Sequence, residues 1–304
     1  MASGALALAL AVSACGDDEG DEGVGVSDPA PLVDRIPTGV SELNFVDLRA
    51  VWDELGLPED AEASLGLGDD ETRLNVAAGN VLQFLSLPRR TPLHDAIDLG
   101  RVDAAASNLI IGSPGIAVLQ TSQPFDEIAA ALEEQGYERD GGVMSTELGD
   151  GAGSTTYNVV ADDGDGLIVL GFDRDTVEAS VDGKPGLENP ARPLIEQVEG
   201  VSRAAIASTD SGCVRGLAIG ESADGDTGEI RIEVEGEASA DRFRLPEVRV
   251  LPMLEYGEPD VEGDSLTVDV NLDPNPRFDP GVGAGPVMLQ RTDLTSEETY
   301  SCGG

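Results

Sequence analysis

The sequence predicts an α+β fold, an antiparallel sheet with helices on one face and a β-rich C-terminal portion. Three observations carry that expectation. Apolar stripes at helical spacing recur before residue 203, period-two alternation takes over beyond it, and turn residues punctuate the apolar runs throughout. The 304 residues allow one or two domains, and a hydrophobic content of 40% is enough to build a core despite a formal charge of −41.

Taken in order, residues 43–55 carry apolar side chains at helical spacing and stop at Gly56 and Pro58, which predicts a helix. A second amphipathic run over residues 74–87 puts Val76, Val81, Leu82, Phe84 and Leu85 on or near one face. Residues 109–111 and 116–119 read as strands flanking the turn Gly112, Ser113, Pro114 and Gly115. Pro124 opens the clearest helix, with Phe125, Ile128, Ala129 and Leu132 as its stripe and Gly136 at its C-cap. A second hairpin joins residues 156–160 to 167–172 across Asp162, Asp163, Gly164, Asp165 and Gly166. In both hairpins an apolar run follows a glycine and leads into a helical segment, so a duplicated hairpin-plus-helix unit is expected. Leu194, Ile195 and Val198 between Pro193 and Gly200 suggest one more short helix.

Beyond residue 203, Ile230, Ile232 and Val234 alternate with Arg231, Glu233 and Glu235. Leu266, Val268, Val270 and Leu272 alternate with Thr267, Asp269 and Asn271. Such alternation means one buried face and one wet face, hence antiparallel sheet. Residues 273–286, rich in Pro, Gly and Asp, read as irregular surface. The expected organisation is a leader over residues 1–14, an acidic tether over 15–37, an α+β domain over 38–202 and a β-rich portion over 203–304 that can belong to the same domain.

Acids outnumber bases 59 to 18, which excludes nucleic acid as a natural partner, because a phosphate backbone needs a basic footprint. The imbalance is not confined to a tail. Only seven acids lie between Cys15 and Pro37, beside the single base Arg35, so the remainder is itself near −35. Self-repulsion on that scale is screened at about 1 M salt, where the Debye length falls to about 3 Å. Two readings stand side by side: a protein of a high-salt habitat, and an ordinary acidic secreted protein. Lys184 is the only lysine.

Residues 5–12 form a short run of Ala, Leu and Val, followed by Ser13, Ala14 and Cys15, after which Asp17, Asp18 and Glu19 turn the chain acidic. Eight apolar residues are too few to span a bilayer core, which takes about 20, whereas a signal-peptide h-region fits. Val12, Ser13, Ala14 and Cys15 resemble the lipobox of prokaryotic lipoproteins. That resemblance implies a diacylglyceryl thioether on Cys15, cleavage after Ala14, a membrane partner through that lipid, and a place on the extracytoplasmic face of the cell envelope. Two acyl chains would hold the protein stably, since each buried methylene adds about 0.8 kcal/mol. The acidic leader, repelled by anionic head groups, is expected to stand off the surface as a flexible tether. Residues 1–14 contain no Lys or Arg, whereas a signal peptide has a positive n-region, so the true start is expected upstream of Met1.

With Cys15 assigned to lipid, Cys213 and Cys302 remain, and an even pair in an exported chain reads as a disulfide. Free thiols and a metal pair are the alternatives, but a single histidine leaves no Cys/His ligand spacing.

Catalytic constellations are scarce. His94 is the sole histidine, no Gly-x-Ser-x-Gly elbow exists, and zinc-protease spacing cannot be built. The glycine-rich stretches 149–154 and 281–286 each miss the last glycine of a dinucleotide loop and read as loops. Calcium is the one cofactor the loops invite, with Asp162, Asp163, Asp165, Asp224 and Asp226 as candidate ligands. Neither cluster fits the EF-hand spacing, and both sit where hairpin turns are expected. The leading expectation is a lipid-anchored, non-catalytic protein that binds or scaffolds in the envelope. A solute-binding lipoprotein of a transporter and a carboxylate-dependent hydrolase are the alternatives, discriminated by two α/β lobes around a cleft and by converging carboxylates respectively.

Overall fold

A strand buried on both faces reads as a continuous apolar run and a strand buried on one face reads as an alternation, and both kinds occur in this chain. The computed structural model describes residues 30–36, 42–54, 92–108, 115–147, 157–182, 203–208, 213–221, 227–243, 254–272 and 300–302. Within them lie strands β1 (Glu42–Asp47), β2 (Val102–Ser107), β3 (Ile116–Thr121), β4 (Glu138–Asp140), β5 (Val143–Ser145), β6 (Val159–Asp162) and β7 (Leu167–Gly171). The later strands are β8 (Arg203–Ser208), β9 (Val214–Glu221), β10 (Thr227–Val234), β11 (Leu254–Tyr256), β12 (Asp260–Glu262) and β13 (Ser265–Leu272). The helices are α1 (Ala30–Val33), α2 (Leu48–Glu54), α3 (Pro92–Ala96), α4 (Phe125–Glu134) and α5 (Arg174–Val181), with single 3₁₀ turns at Leu99–Arg101 and Ala240–Arg242.

The fold is α+β, and its described strands form one antiparallel sheet. Their order is β11-β13-β10-β9-β8-β1-β2-β3-β7-β6-β5-β4, with β12 also paired to β13. Strands β8 and β1, 161 residues apart at their first residues, Glu42 and Arg203, pair Leu43 with Ile206 and Phe45 with Ala204, which joins the two portions into a single sheet. Both ends of the sheet are short and charged: all three residues of β4 and of β12 are exposed, and both strands carry acids. Charge on a short edge discourages pairing with another chain.

The helices divide between the two faces of the sheet, whereas the sequence placed them on one. Ile128, Ala129 and Leu132 of α4 and Leu93 and Ala96 of α3 pack with Ala117, Leu119, Ile168 and Leu170. On the opposite face Leu32 and Val33 of α1 and Val177 of α5 pack with Ile116, Val118, Leu167 and Val169. The reason lies in β3 and β7, where neighbouring side chains point to opposite faces and are nearly all buried, so each face needs its own cover. The two strands pair with each other through Val118 and Val169, and each leads into a helix as expected. Those helices lie on opposite faces, so the two hairpin-plus-helix units are not copies in space.

Helix α4 follows its sequence closely: Ile128, Ala129 and Leu132 are fully buried, Pro124 precedes the first turn, and Gly136 ends it with φ +91°. Burying Ile128 and Leu132 contributes about 1.5–3 kcal/mol each. Residues 43–55 behave otherwise. They divide into β1 and α2, because Leu43 and Phe45 face one core and Val46 the other while β1 pairs on both sides. Tertiary pairing overrides the local helical spacing there. Asp47 marks the switch: its buried carboxylate accepts from the Ala50 amide at 2.8 Å, capping α2.

The C-terminal strands match the alternation. Ile230, Ile232, Val234, Leu266, Val268 and Val270 are buried on one face, with Val214, Leu217 and Tyr300 completing the cluster. A bulge between β9 and β10 pairs Val234 with Val214 where the register otherwise demands Arg215, and Arg215 is exposed. The amphipathic run 74–87, strand 109–111, the helix after Pro193 and the irregular stretch 273–286 lie outside the described residues.

Candidate functional site

The aspartate-rich turn between β6 and β7 forms the most extensively hydrogen-bonded carboxylate cluster among the described residues. Gly164 and Gly166 have φ of +84° and +89°, a left-handed backbone that glycine adopts without cost. Asp162 accepts from the Gly164 amide at 3.0 Å, and Asp163 Oδ1 accepts from the amides of Asp165 and Leu167 at 2.8 and 3.1 Å. These are Asx turns, in which a short carboxylate stands in for a backbone acceptor. Asp163 Oδ2 meets Arg35 Nη2 at 2.9 Å, and the aspartate side chain is fully buried. Asp165 is exposed. Among the described residues no three His, Cys, Asp or Glu side chains converge as a metal site would need. Asp224 and Asp226 lie outside the described residues, as does Cys15.

Arg35 ties this turn to two other elements. Its second guanidinium nitrogen donates to the Val181 carbonyl at 2.9 Å, at the end of α5, and the Ser180 hydroxyl donates to the Arg35 carbonyl. Leu32, Val33 and Ile36, all at most 2% exposed, insert beside it into the second face. Residues 30–36 are thereby clasped to the sheet by one arginine and three apolar side chains. Arg35 was not among the residues singled out by motif. Its signal is positional: it is the one base in a stretch with seven acids.

Cys213 and Cys302 form a disulfide with Cα atoms 5.5 Å apart, as expected of the pair. The Cys213 amide donates to Cys302 Sγ at 2.8 Å. Around the bond residues 300–302 are held in place: Tyr300 bridges to Phe243, its buried hydroxyl accepts from the Ser239 amide at 2.9 Å, and the Ser301 amide donates to the Arg242 carbonyl at 2.9 Å. The Glu235 amide donates to the Cys213 carbonyl at 2.6 Å, fixing the other half of the crosslink where the bulge delivers it.

A third cluster lies under α4. The Tyr137 hydroxyl donates to the Tyr157 carbonyl at 2.8 Å, and burial pushes its pKa up to about 12. Tyr157 is fully buried, its ring 4.9 Å from that of Phe172, and its hydroxyl has no hydrogen-bond partner among the described residues. Burial raises its pKa well above the ordinary phenol range. Burial of this kind favours the neutral hydroxyl. Asp173 is displaced the other way: accepting from the Thr176 hydroxyl and amide holds this exposed carboxyl below its usual range, and the bonds are those of an N-cap to α5. His94 lies in α3.

No protein-family model matches the chain, and no curated protein sequence matches it. Among solved structures, crystal form I of TP0453 is similar with a TM-score of 0.45 at 10% identity, over 88% of this chain and 98% of that chain. Crystal form III of TP0453 gives 0.43 at 11% identity over 79% and 94% of the respective chains, and form IV gives 0.40 at 11% over 79% and 92%.

Proposed function

We propose that the chain is a lipid-anchored protein of the extracytoplasmic face of the cell envelope, whose domain binds or scaffolds a component outside the membrane rather than catalysing a reaction. The observation that carries this reading is the Cys213–Cys302 disulfide, since such crosslinks persist in oxidising compartments and are rare in reducing ones. It supports the export implied by the lipobox-like residues Val12, Ser13, Ala14 and Cys15. The clasp at Arg35 adds a mechanical rationale, because the acidic leader joins the domain where residues 30–36 are fastened to the sheet. Antiparallel pairing of every described strand favours this reading over a two-lobed solute-binding lipoprotein, which is built from parallel α/β lobes.

The test is the mass and partition of the native product. A chain starting at Cys15 with a diacylglyceryl adduct, found in the membrane fraction and released by Cys15→Ser, is the expected result. A product that retains residue 14 and carries no acyl mass would overturn the reading.

A further inference from the structure

Residues 30–36 touch the sheet without belonging to it. Among the described residues, the amides of Asp34, Arg35 and Ile36 donate within the segment to the carbonyls of Ala30, Leu32 and Val33 at 2.9, 3.2 and 3.0 Å. A helix as short as α1, with four residues, has no stability of its own in water and exists because it is docked. The docking includes Leu32, Val33 and Ile36 in the second core, the Ser180 hydroxyl on the Arg35 carbonyl, and the Arg35 guanidinium bridging Val181 and Asp163. Ordering seven residues, at about 1–2 kcal/mol each, opposes the burial of three apolar side chains at about 1.5–3 kcal/mol each, so the arginine contacts add to a docking that burial alone does not secure.

Opening the clasp uncovers part of the second core but leaves the hydrogen bonds beneath it in place. Asp163 keeps its two turn amides on Oδ1 when Arg35 leaves, and β3 and β7 keep their ladder to each other. Small segments outside the strand ladder are among the first to open in native proteins.

We propose that residues 30–36 are a releasable strap, with the Arg35–Asp163 pair as its clasp, which undocks as a unit while the sheet stays folded. The consequence for function rests on the proposed anchorage at Cys15: with the strap docked, the connection from the lipid to the domain ends at residue 30, and with the strap released it ends at β1. The twelve residues 30–41 then add up to about 40 Å of contour at about 3.3–3.6 Å each. The strap thereby sets two reaches for one domain from the membrane surface.

Hydrogen exchange on the full chain tests the strap whether or not Cys15 carries lipid, so its outcome is separate from that of the anchorage. In the unaltered protein the amides of residues 34–36 are expected to be protected, but to exchange faster than those of β3 and β7. Arg35→Met, which keeps the aliphatic stem, raises their exchange on the order of tenfold while β3 and β7 are unchanged. Asp163→Asn does the same, and the double variant adds little to either single change, because both remove one interaction. Strap amides that exchange together with β3, or a rate unmoved by both substitutions, would overturn the proposal.

Discussion

Strands β7 and β13 differ in what covers them. In β7 each of the residues 167–171 is buried, because α4 and α3 close one face and α1 and α5 the other. In β13 only Leu266, Val268 and Val270 are buried, and the side chains between them are partly or fully exposed. On the buried side of the C-terminal strands the described cover is Ala238, Phe243, Tyr256, Tyr300 and the disulfide, with no described helix among them. A sheet covered by helices on two faces is held by packed side chains from many elements, whereas described cover fastened by one crosslink depends on that bond. The crosslink is therefore where the second arrangement is most exposed to damage.

The largest expected effect follows directly. Reduction, or Cys302→Ser, frees a loop spanning 89 positions, and in the chain-entropy model this costs roughly 4–5 kcal/mol. The loss should fall on β9, β10 and β13, where Tyr300 leaves its cluster, and spare β3 and β7. Amide exchange in the oxidised and reduced forms checks this. Equal loss in both regions would mean that the β1–β8 pairing makes the sheet one cooperative unit, and the contrast between the regions would fail.

Point substitutions sharpen the same contrast at lower cost. Neighbours in β7 point to opposite cores, so Leu170→Ala should cost about 2–5 kcal/mol and Val169→Thr about 1–3 kcal/mol. Neighbours in β13 should differ: Val268→Thr costs about 1–3 kcal/mol, while Asp269→Asn on the exposed face stays within about 0.5 kcal/mol. Urea melts read all four. A loss at Asp269 as large as that at Val268 would show that the outer face of the C-terminal strands is covered after all.

Close approach of α5 to the sheet supplies the next test. A Cβ on Gly171 would stand 2.4 Å from Val177 Cγ2, which no packing tolerates without movement. Gly171→Ala should therefore cost about 1–3 kcal/mol. Adding Val177→Ala removes the clash, so the double variant should lose less than the two single losses combined. Additive losses would place the fault in the backbone and not in the contact.

How much of this was legible in the sequence follows from the same physics. Alternation in residues 230–234 and 266–270 is a local signal of one-sided burial, and both strands stand where it predicts. The stripe from Phe125 to Leu132 and the paired Cys213 and Cys302 were equally readable. The apolar runs 116–119 and 167–170 held more than a strand assignment: four consecutive buried residues demand cover on both faces, and that demand, rather than any helix pattern, points to helices on either side. Residues 43–47 misled because Leu43, Val46 and Val51 fit a helical period as well as a doubly buried strand. Arg35 and Asp163 are 128 positions apart, and only the folded sheet brings a lone base to a buried carboxylate.

Three buried tyrosines provide the finest comparison of the two regions. The Tyr300 hydroxyl accepts the Ser239 amide and the Tyr137 hydroxyl donates to the Tyr157 carbonyl, so converting either residue to Phe strands a partner and should cost about 1 kcal/mol. The Tyr157 hydroxyl has no partner among the described residues, so its burial carries an uncompensated desolvation. Tyr157→Phe should leave stability unchanged or raise it by up to about 1 kcal/mol, the hydrophobic contact with Phe172 being kept. Urea midpoints for the three variants decide the point. A clear loss at Tyr157 would mean that its hydroxyl holds a buried water, for which a hydroxyl in this position is a suitable partner, and the two-sided core would then be wetter at its centre than its apolar lining implies.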